Sequence, residues 1–165
     1  MDIDGGHSLV AVSCTSYLWC MAVDTRGYEM TYEGRSTALL GTWQAPKQFS
    51  TSGQPTALSC SVGPQDVDGC IVVFSGGRAI TYDDGTWGAK VLVDTAPLTA
   101  LSCGAWDFCF AGSQTGKVVA WVGNQQKWQD LGAIGAGGAA VKALSCTKAA
   151  LCVAVTANGD AFKGT

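Results

Sequence analysis

The sequence predicts an all-β fold built from four similar units, and three observations support this prediction. A motif of the form Ala-Leu-Ser-Cys, with Val in place of Leu in the first copy, begins at residues 11, 57, 100 and 143, a period of 43 to 46 residues. A second cysteine follows each motif. The chain also has 22 glycines and only 14% charged residues, which is typical of short strands joined by tight turns. Because a four-stranded propeller blade has this period, we predict a single domain with the fold of a four-bladed β-propeller.

The cysteines place the first two strands of each unit. One strand ends at the first cysteine and the next begins at the second, and the pairs are Cys14 and Cys20, Cys60 and Cys70, Cys103 and Cys109, and Cys146 and Cys152. Cysteines that bind structural zinc generally stand about two to four residues apart, closer than in these pairs. The spacing suits a hairpin whose cysteines face each other across a non-hydrogen-bonded pair, within disulfide range. We therefore predict one disulfide in each blade and no metal.

A glycine turn and two aromatic positions define the outer half of each unit. The glycine stands seven residues after the second cysteine, where the turn requires a positive φ: Gly27, Gly77, Gly116 and Gly159. In the first three units the third strand ends on an aromatic residue and the fourth strand opens on a tryptophan, as with Tyr82 and Trp87. Since these residues recur at equivalent positions, we predict that they fill the same slot between blades.

The fourth unit stops at Thr165, before a fourth strand. We expect residues 1–4 to supply that strand, so that the N-terminus completes the last blade and closes the ring. The blades then span approximately residues 9–54, 55–98, 99–139, and 140–165 together with 1–6. The alternatives are an open solenoid, a larger ring built from two chains, and a fragment of a longer propeller.

The charge and the cysteine content limit the classes of partner and the cellular compartment that we expect for this protein. The net charge is −3 and the ten Lys and Arg residues are scattered, so we expect no nucleic-acid partner. No apolar run approaches the ~20 residues that span a bilayer, and we expect no membrane insertion. Eight cysteines in pairs favour an oxidising compartment, although the N-terminus does not resemble a secretory signal. We expect a mature secreted domain whose leader is not part of this sequence.

One pattern resembles a known group of repeats. It consists of Ser-Cys, about five residues, Cys, a small apolar strand, a glycine turn, an aromatic residue and the Gly-Thr-Trp of residues 85–87. It resembles, over nearly the whole chain, the cysteine-bearing tandem propeller repeats of secreted actinobacterial and fungal proteins. Residues 78–87 are more loosely similar to a blade of the fungal propeller lectins, and that resemblance implies sugar binding in shallow sites between blades. Arg78 is not repeated in the other units, so an arginine-based sugar site does not recur around the ring.

The sequence offers little for catalysis. His7 is the one histidine of the chain, and it lies in a glycine-rich connection rather than beside a candidate nucleophile. Residues 112–117 differ from a phosphate-binding loop in spacing, and Val118 stands where that loop has Ser or Thr after its lysine. The paired acids Asp66 with Asp68 and Asp83 with Asp84 would suit a glycosidase or a calcium site, but adjacent acids in turns are generally solvated. We predict a protein that is not an enzyme and has no cofactor.

Two tryptophans fall outside the repeat pattern. Trp19 and Trp106 lie in the loops between the first two strands, either as ligand contacts or packed against their own disulfides. These loops and those after the third strand emerge on one face, which also collects Asn124 and Gln125. Aromatic rings among carboxylates and amides suit a glycan or glycoprotein surface and also suit a protein partner. We predict a secreted lectin, or alternatively a protein-interaction module such as an inhibitor or adhesion domain, with these ligand-binding residues: Tyr17, Trp19, Glu33, Arg35, Asp83, Asp84, Trp106 and Asp107.

Overall fold

The chain folds into four antiparallel sheets that follow one another along the sequence, each forming one blade. A computed structural model describes residues 2–35, 38–63, 66–135, 137–147 and 151–164, with the backbone alone for residues 35 and 38–40. The predicted all-β, four-bladed propeller architecture is confirmed. Within these ranges, no helix has the length and apolar character needed to cross a membrane.

The strands run outward from the first strand of each blade. Blade 1 consists of β1 (Leu9–Ser16), β2 (Trp19–Asp24), β3 (Tyr28–Arg35), β4 (Ala38–Trp43) and β5 (Lys47–Gln48). Blade 2 consists of β6 (Pro55–Val62), β7 (Asp68–Phe74), β8 (Arg78–Asp83), β9 (Thr86–Trp87) and β10 (Val91–Leu92). Blade 3 consists of β11 (Leu98–Ala105), β12 (Phe108–Ser113), β13 (Lys117–Val122) and β14 (Lys127–Ala133). Blade 4 consists of β15 (Val141–Thr147), β16 (Leu151–Thr156) and β17 (Ala161–Gly164).

Each blade carries the predicted disulfide between its first two strands. The bonds are Cys14–Cys20, Cys60–Cys70, Cys103–Cys109 and Cys146–Cys152, and the paired Cα atoms lie 3.9 to 4.1 Å apart. Each pair is in direct register across its two strands. The short Cα separation is that of a non-hydrogen-bonded pair, which confirms the cysteine argument.

The predicted glycine turns join the second and third strands. All four glycines have a positive φ, between 70° and 86°. In blade 2 the carbonyl of Gly77 accepts hydrogen bonds from the amides of Val93 and Asp94, both at 2.9 Å. The turn therefore also holds the connection that leads into blade 3.

Successive blades pack face to face. We call the side of a blade that packs on the following blade its front face, and the opposite side its rear face. The front of blade 1 presents Met21 and Val23, which are fully buried against the rear of blade 2, including Leu58. The front of blade 2 presents Ile71 and Val73 in the same way to blade 3. Apolar burial at these junctions supplies most of the driving force for assembling the blades.

A repeated hydrogen bond crosses every junction between successive blades. The motif serine of one blade accepts a hydrogen bond from the backbone amide of the first cysteine of the next blade. Its oxygen lies 2.9 to 3.0 Å from that nitrogen in the pairs Ser13 with Cys60, Ser59 with Cys103, and Ser102 with Cys146. The recurrence of Ser-Cys in the sequence thus reflects one blade-to-blade contact.

The repeated aromatic residues pair inside blades 1 to 3. The ring centroids of Tyr32 and Trp43 lie 5.6 Å apart, those of Tyr82 and Trp87 lie 5.1 Å apart, and those of Trp121 and Trp128 lie 5.6 Å apart. In blades 2 and 3 these pairs pack on the apolar cluster shared with the preceding blade, which confirms the predicted slot between blades. Tyr32 and Trp43 occupy the same position on the rear of blade 1 and belong to none of the buried clusters of the described residues. Trp43 also ends β4 instead of opening the fourth strand as expected.

The structure corrects the expectation that the N-terminus completes the last blade. Blade 4 has three strands, and residues 2–8 form bends and turns rather than a strand. The buried carboxylate of Asp4 instead contacts the Arg26 guanidinium at 3.3 Å, and Arg26 also binds Asp24 at 2.7 Å. This ion-pair network holds the segment on blade 1.

The expected closed ring is also corrected. The first strands of successive blades pack on one another, β1 on β6, β6 on β11, and β11 on β15, but β1 and β15 show no comparable packing. The buried apolar clusters join blades 1 and 2, 2 and 3, and 3 and 4. The described part of the chain is therefore an open arc of propeller blades.

Candidate functional site

A cleft of about 690 Å³ opens between blades 2 and 3 on the face predicted to carry the binding loops. It is formed by the loops that follow the first and third strands of both blades. Its polar and aromatic lining consists of Asp83, Asp84, Trp106, Asp107, Asn124 and Gln126. This cleft brings together the predicted site residues of blades 2 and 3.

The two aspartates of blade 2 are presented by a tight hairpin turn. Asp83 ends β8 and pairs with Thr86 of β9, so that Asp84 and Gly85 form the turn. Both turn residues have positive φ, 41° and 83°. Asp-Gly is the sequence that favours such a turn between antiparallel strands. The turn leaves both carboxylates exposed at the edge of the cleft.

The tryptophan of blade 3 is seated on the backbone of blade 2. A Cβ at Gly69 would lie 2.3 Å from Cζ3 of Trp106, so the ring occupies space that any other residue at position 69 would fill. On the other side of the loop, a Cβ at Gly123 would lie 2.8 Å from the Cα of Asp107. Two glycines thus let the loop of blade 3 pack closely against its neighbours. The half-buried indole is held in place while part of it lines the cleft.

The cleft is negatively charged. The ion pairs among the described residues join Arg26 to Asp4 and Asp24, and Lys117 to Asp94 and Asp130. None involves a cleft aspartate, and the lining contains neither lysine nor arginine. Three exposed carboxylates therefore remain available to donors or cations supplied by a ligand.

The predicted residues of blade 1 do not join this cleft. The Tyr17 side chain is 75% exposed, and Glu33 accepts a hydrogen bond from the Gln44 amide at 3.3 Å. Trp19 stacks on Tyr82 of blade 2, with the ring centroids 6.1 Å apart, rather than projecting from its loop. The side chain of Arg35 lies outside the described residues. The eight predicted ligand-binding residues are thus divided between two regions.

Other residues of the cleft lay outside the predicted set. Val62 and Val67 lie between Cys60 and Cys70, the pair with the longest gap, and Gln126 directly follows the short 3₁₀ helix Gly123–Gln125. Gln126 has a positive φ of 50°. The sequence did mark the Cys60–Cys70 loop as unusual, because the other three disulfide loops are four residues shorter. That length could have indicated its residues as candidates for the site.

The remaining candidate chemistry lies elsewhere. Asp68 accepts a hydrogen bond from the Thr15 hydroxyl of blade 1. The His7 ring nitrogen Nδ1 hydrogen-bonds to the carbonyl of Asp4 at 2.6 Å, in the N-terminal segment. In the described ranges, no three His, Cys, Asp or Glu side chains cluster with a geometry that would hold a metal ion.

Glu29 is one of the buried carboxylates that the sequence pattern did not indicate. Glu29 lies at the junction of blades 1 and 2, where its Oε2 accepts a hydrogen bond from the Trp87 indole at 2.6 Å. Burial raises the pKa of Glu29 above its ordinary value, and the indole donor and Lys47 act in the opposite direction. The hydrogen bond between Trp87 and Glu29 therefore links the outer part of blade 2 to blade 1.

A substitution at Glu29 tests whether its buried negative charge destabilises the folded protein. Folding raises the pKa of Glu29 above 4.5, so the folded protein binds the carboxyl proton more tightly than the unfolded chain does. The free energy of unfolding therefore declines as the pH rises from the unfolded pKa to the folded pKa. Glu29→Gln keeps an oxygen acceptor for Trp87 without the charge. We expect its thermal midpoint to exceed that of the parent near about pH 7, and the difference to vanish by about pH 3.5. A variant that is less stable than the parent near neutral pH contradicts this account.

Comparison with known proteins identifies the architecture. No protein-family model matches the sequence, and no curated protein does either. Many solved structures share the fold, and three of them are described here. The structure of YCF48 bound to the D1 peptide matches with a TM-score of 0.72 at 15% identity, covering 95% of this chain and 50% of that one. The Dos1 propeller matches with a TM-score of 0.73 at 11% identity, covering 94% and 44%. The computationally designed Ika4 protein matches with a TM-score of 0.65 at 15% identity, covering 96% and 91%.

These matches show a β-propeller fold. The chain spans about half the length of the YCF48 and Dos1 chains. The curvature of its four blades is therefore compatible with that of a longer propeller, in agreement with the open arc.

Proposed function

We propose that this protein is a secreted, non-catalytic carbohydrate-binding protein whose ligand occupies the cleft between blades 2 and 3. The observation that carries the proposal is the grouping, in one open cleft, of Trp106 with two side-chain amides and three aspartates that form no ion pair among the described residues. The four disulfides support secretion, because such bonds persist in oxidising compartments.

The chemistry of the cleft suits a sugar. The CH groups of a pyranose ring pack on an aromatic plane, and Trp106 supplies one that its packing on Gly69 holds in position. The carboxylates accept hydrogen bonds from sugar hydroxyls, and the amides of Asn124 and Gln126 both donate and accept. Because the turn at Asp84 and the packing of Trp106 on Gly69 fix the backbone of these loops, little backbone entropy is lost on binding.

A basic segment of another protein is the second candidate. The absence of Lys and Arg from the lining favours a cationic ligand, which would pair with Asp83, Asp84 or Asp107 and pack on Trp106. YCF48, which has the same fold, is seen bound to a peptide. Binding of this kind would weaken steeply with salt, whereas binding of a neutral sugar would not.

A glycan array followed by titration calorimetry tests the first candidate. We expect Trp106→Ala and Asp107→Asn each to weaken binding of the selected glycan by about tenfold or more, because each removes a contact in the cleft. Tyr17→Ala is the matched control, since Tyr17 is exposed in the loop of blade 1 and lies outside the cleft. Thermal midpoints of the variants separate loss of binding from loss of folding.

The outcomes distinguish the candidates. If Tyr17→Ala weakens glycan binding and Trp106→Ala does not, the glycan binds at blade 1 and not in the cleft. An array without signal, together with salt-sensitive binding of a lysine-rich peptide that Asp107→Asn weakens, contradicts the first candidate and supports the second.

A further inference from the structure

The two ends of the blade arc carry unlike apolar faces that are left uncovered. The rear of blade 1 exposes Leu9 by 47% and Val12 by 61%. The front of blade 4 exposes Val153 by 39% and Val155 by 38%. Both faces belong to the outermost blades of the described arc.

At the inner junctions, the equivalent residues are buried. Leu98 and Leu101 stand in blade 3 where Leu9 and Val12 stand in blade 1, and they are 0% and 9% exposed. Ile71 and Val73 of blade 2 correspond to Val153 and Val155 and are fully buried. The uncovered faces are therefore copies of surfaces that are built to pack on another blade.

The hydrogen bonding at the two faces is also complementary. Each inner junction joins a motif serine to the next cysteine amide at 2.9 to 3.0 Å. By equivalence, the front of blade 4 offers the Ser145 hydroxyl and the rear of blade 1 offers the Cys14 amide. Among the described residues, neither group has a hydrogen-bond partner across a blade junction.

Lys163 also belongs to the front face of blade 4. It occupies the position of Thr81, which lines a cavity with Trp121 and Trp128 of the next blade. The blade 1 counterparts of those tryptophans are Tyr32 and Trp43, on the uncovered rear face. A blade 1 packed on blade 4 would therefore place these two rings near this lysine.

We propose that a second copy of this chain covers both faces, so that two chains pack head to tail into one ring of eight blades. Each chain carries one front face and one rear face of the same junction type, and a two-fold axis pairs both at once. The argument for this occupant is continuity with the three inner junctions. Unlike the ligand proposal, it does not depend on the cleft.

Solution mass measured by light scattering tests the proposal. We expect a mass twice the 17.0 kDa of one chain at about 50 µM and a single-chain mass on dilution. A single-chain mass at all concentrations up to about 500 µM overturns the proposal. A mass that grows beyond two copies also overturns it, because the contact then does not close.

Variants of the two faces test the head-to-tail arrangement. Val12→Asp or Val153→Asp alone places a charge in both junctions of the ring, and we expect either to weaken association by about a hundredfold or more. An equimolar mixture of the two variants restores one unmodified junction, so we expect the mixture to dimerise. A mixture that stays monomeric overturns the arrangement. Leu92→Asp is the control, since Leu92 is 58% exposed on the outermost strand of blade 2.

The unmodified protein provides an independent measurement. The Cys14 amide is expected to exchange its hydrogen more slowly at high protein concentration, because a serine of the second copy covers it. The Cys60 amide is the internal reference, since Ser13 already covers it within one chain. Equal concentration dependence at the two amides contradicts the proposal.

Discussion

Reduction of all four disulfides is expected to unfold the protein at about 37 °C. Each bond closes a short loop, since its two cysteines stand six or ten positions apart in the chain. On the chain-entropy model each such bond stabilises the fold by about 2 to 3 kcal/mol. Together they contribute on the order of 10 kcal/mol, which is comparable with the total stability of a typical domain, about 5 to 15 kcal/mol.

Circular dichroism of the reduced and alkylated protein measures this effect. A single pair removed as Cys60→Ala with Cys70→Ala gives the contribution of one blade, and we expect a loss of about 2 to 3 kcal/mol from urea unfolding. Fully reduced protein that keeps its cooperative thermal transition near the original midpoint contradicts the role assigned to these bonds.

Gly77→Ala is expected to destabilise the fold by about 3 kcal/mol or more. Gly77 has a φ of 70°, which costs an alanine about 1 to 2 kcal/mol. The added Cβ would also lie 2.0 Å from the carbonyl oxygen of Asp94. The connection into blade 3 would therefore have to move and lose its two hydrogen bonds to Gly77.

Two other glycines of blade 2 separate the cost of the positive φ from the cost of the steric overlap. Gly85 has a φ of 83° and open space around it, so Gly85→Ala carries only the backbone cost of about 1 to 2 kcal/mol. Gly76 has open space and no positive φ, and Gly76→Ala is expected to change stability by no more than about 0.5 kcal/mol. Urea midpoints that do not rank Gly77→Ala as the most damaging of the three contradict the steric argument.

The repeat made the blades predictable. A hairpin disulfide restricts two facing residues so strongly that the cysteine spacing alone gives the register of the first two strands. The glycine turns follow from the same logic, since positive φ is rarely tolerated by other residues. Comparison among the copies also separated the paired aromatics from the unmatched Trp106.

The ring closure was not predictable from the repeat. The angle between blades depends on how side chains fit at each junction, and these differ: Gly112 at one junction accommodates the side chain of Val141. The prediction of an N-terminal strand in blade 4 was wrong for a different reason. Asp4 stands before β1 as Asp94 stands before β11, and each pairs with a basic residue that follows the second strand of its blade, Arg26 or Lys117. This charge pattern indicated a place on blade 1.

The site was half predictable. The topology brought the acids of blade 2 and the loop of blade 3 to one edge, as the strand directions required. Trp19 was separated from them by its stacking on Tyr82, a contact across a junction that the sequence of a single blade does not reveal. The same junctions that build the fold thus decide which aromatic residues remain available to a ligand.

A crystal soaked in a mixture of monosaccharides tests the central claim most directly. The account predicts electron density for a sugar ring within about 4 Å of the Trp106 indole, with hydroxyls hydrogen-bonded to the carboxylates of Asp83, Asp84 or Asp107. Sugar density at another surface, with this cleft holding only solvent, contradicts the account.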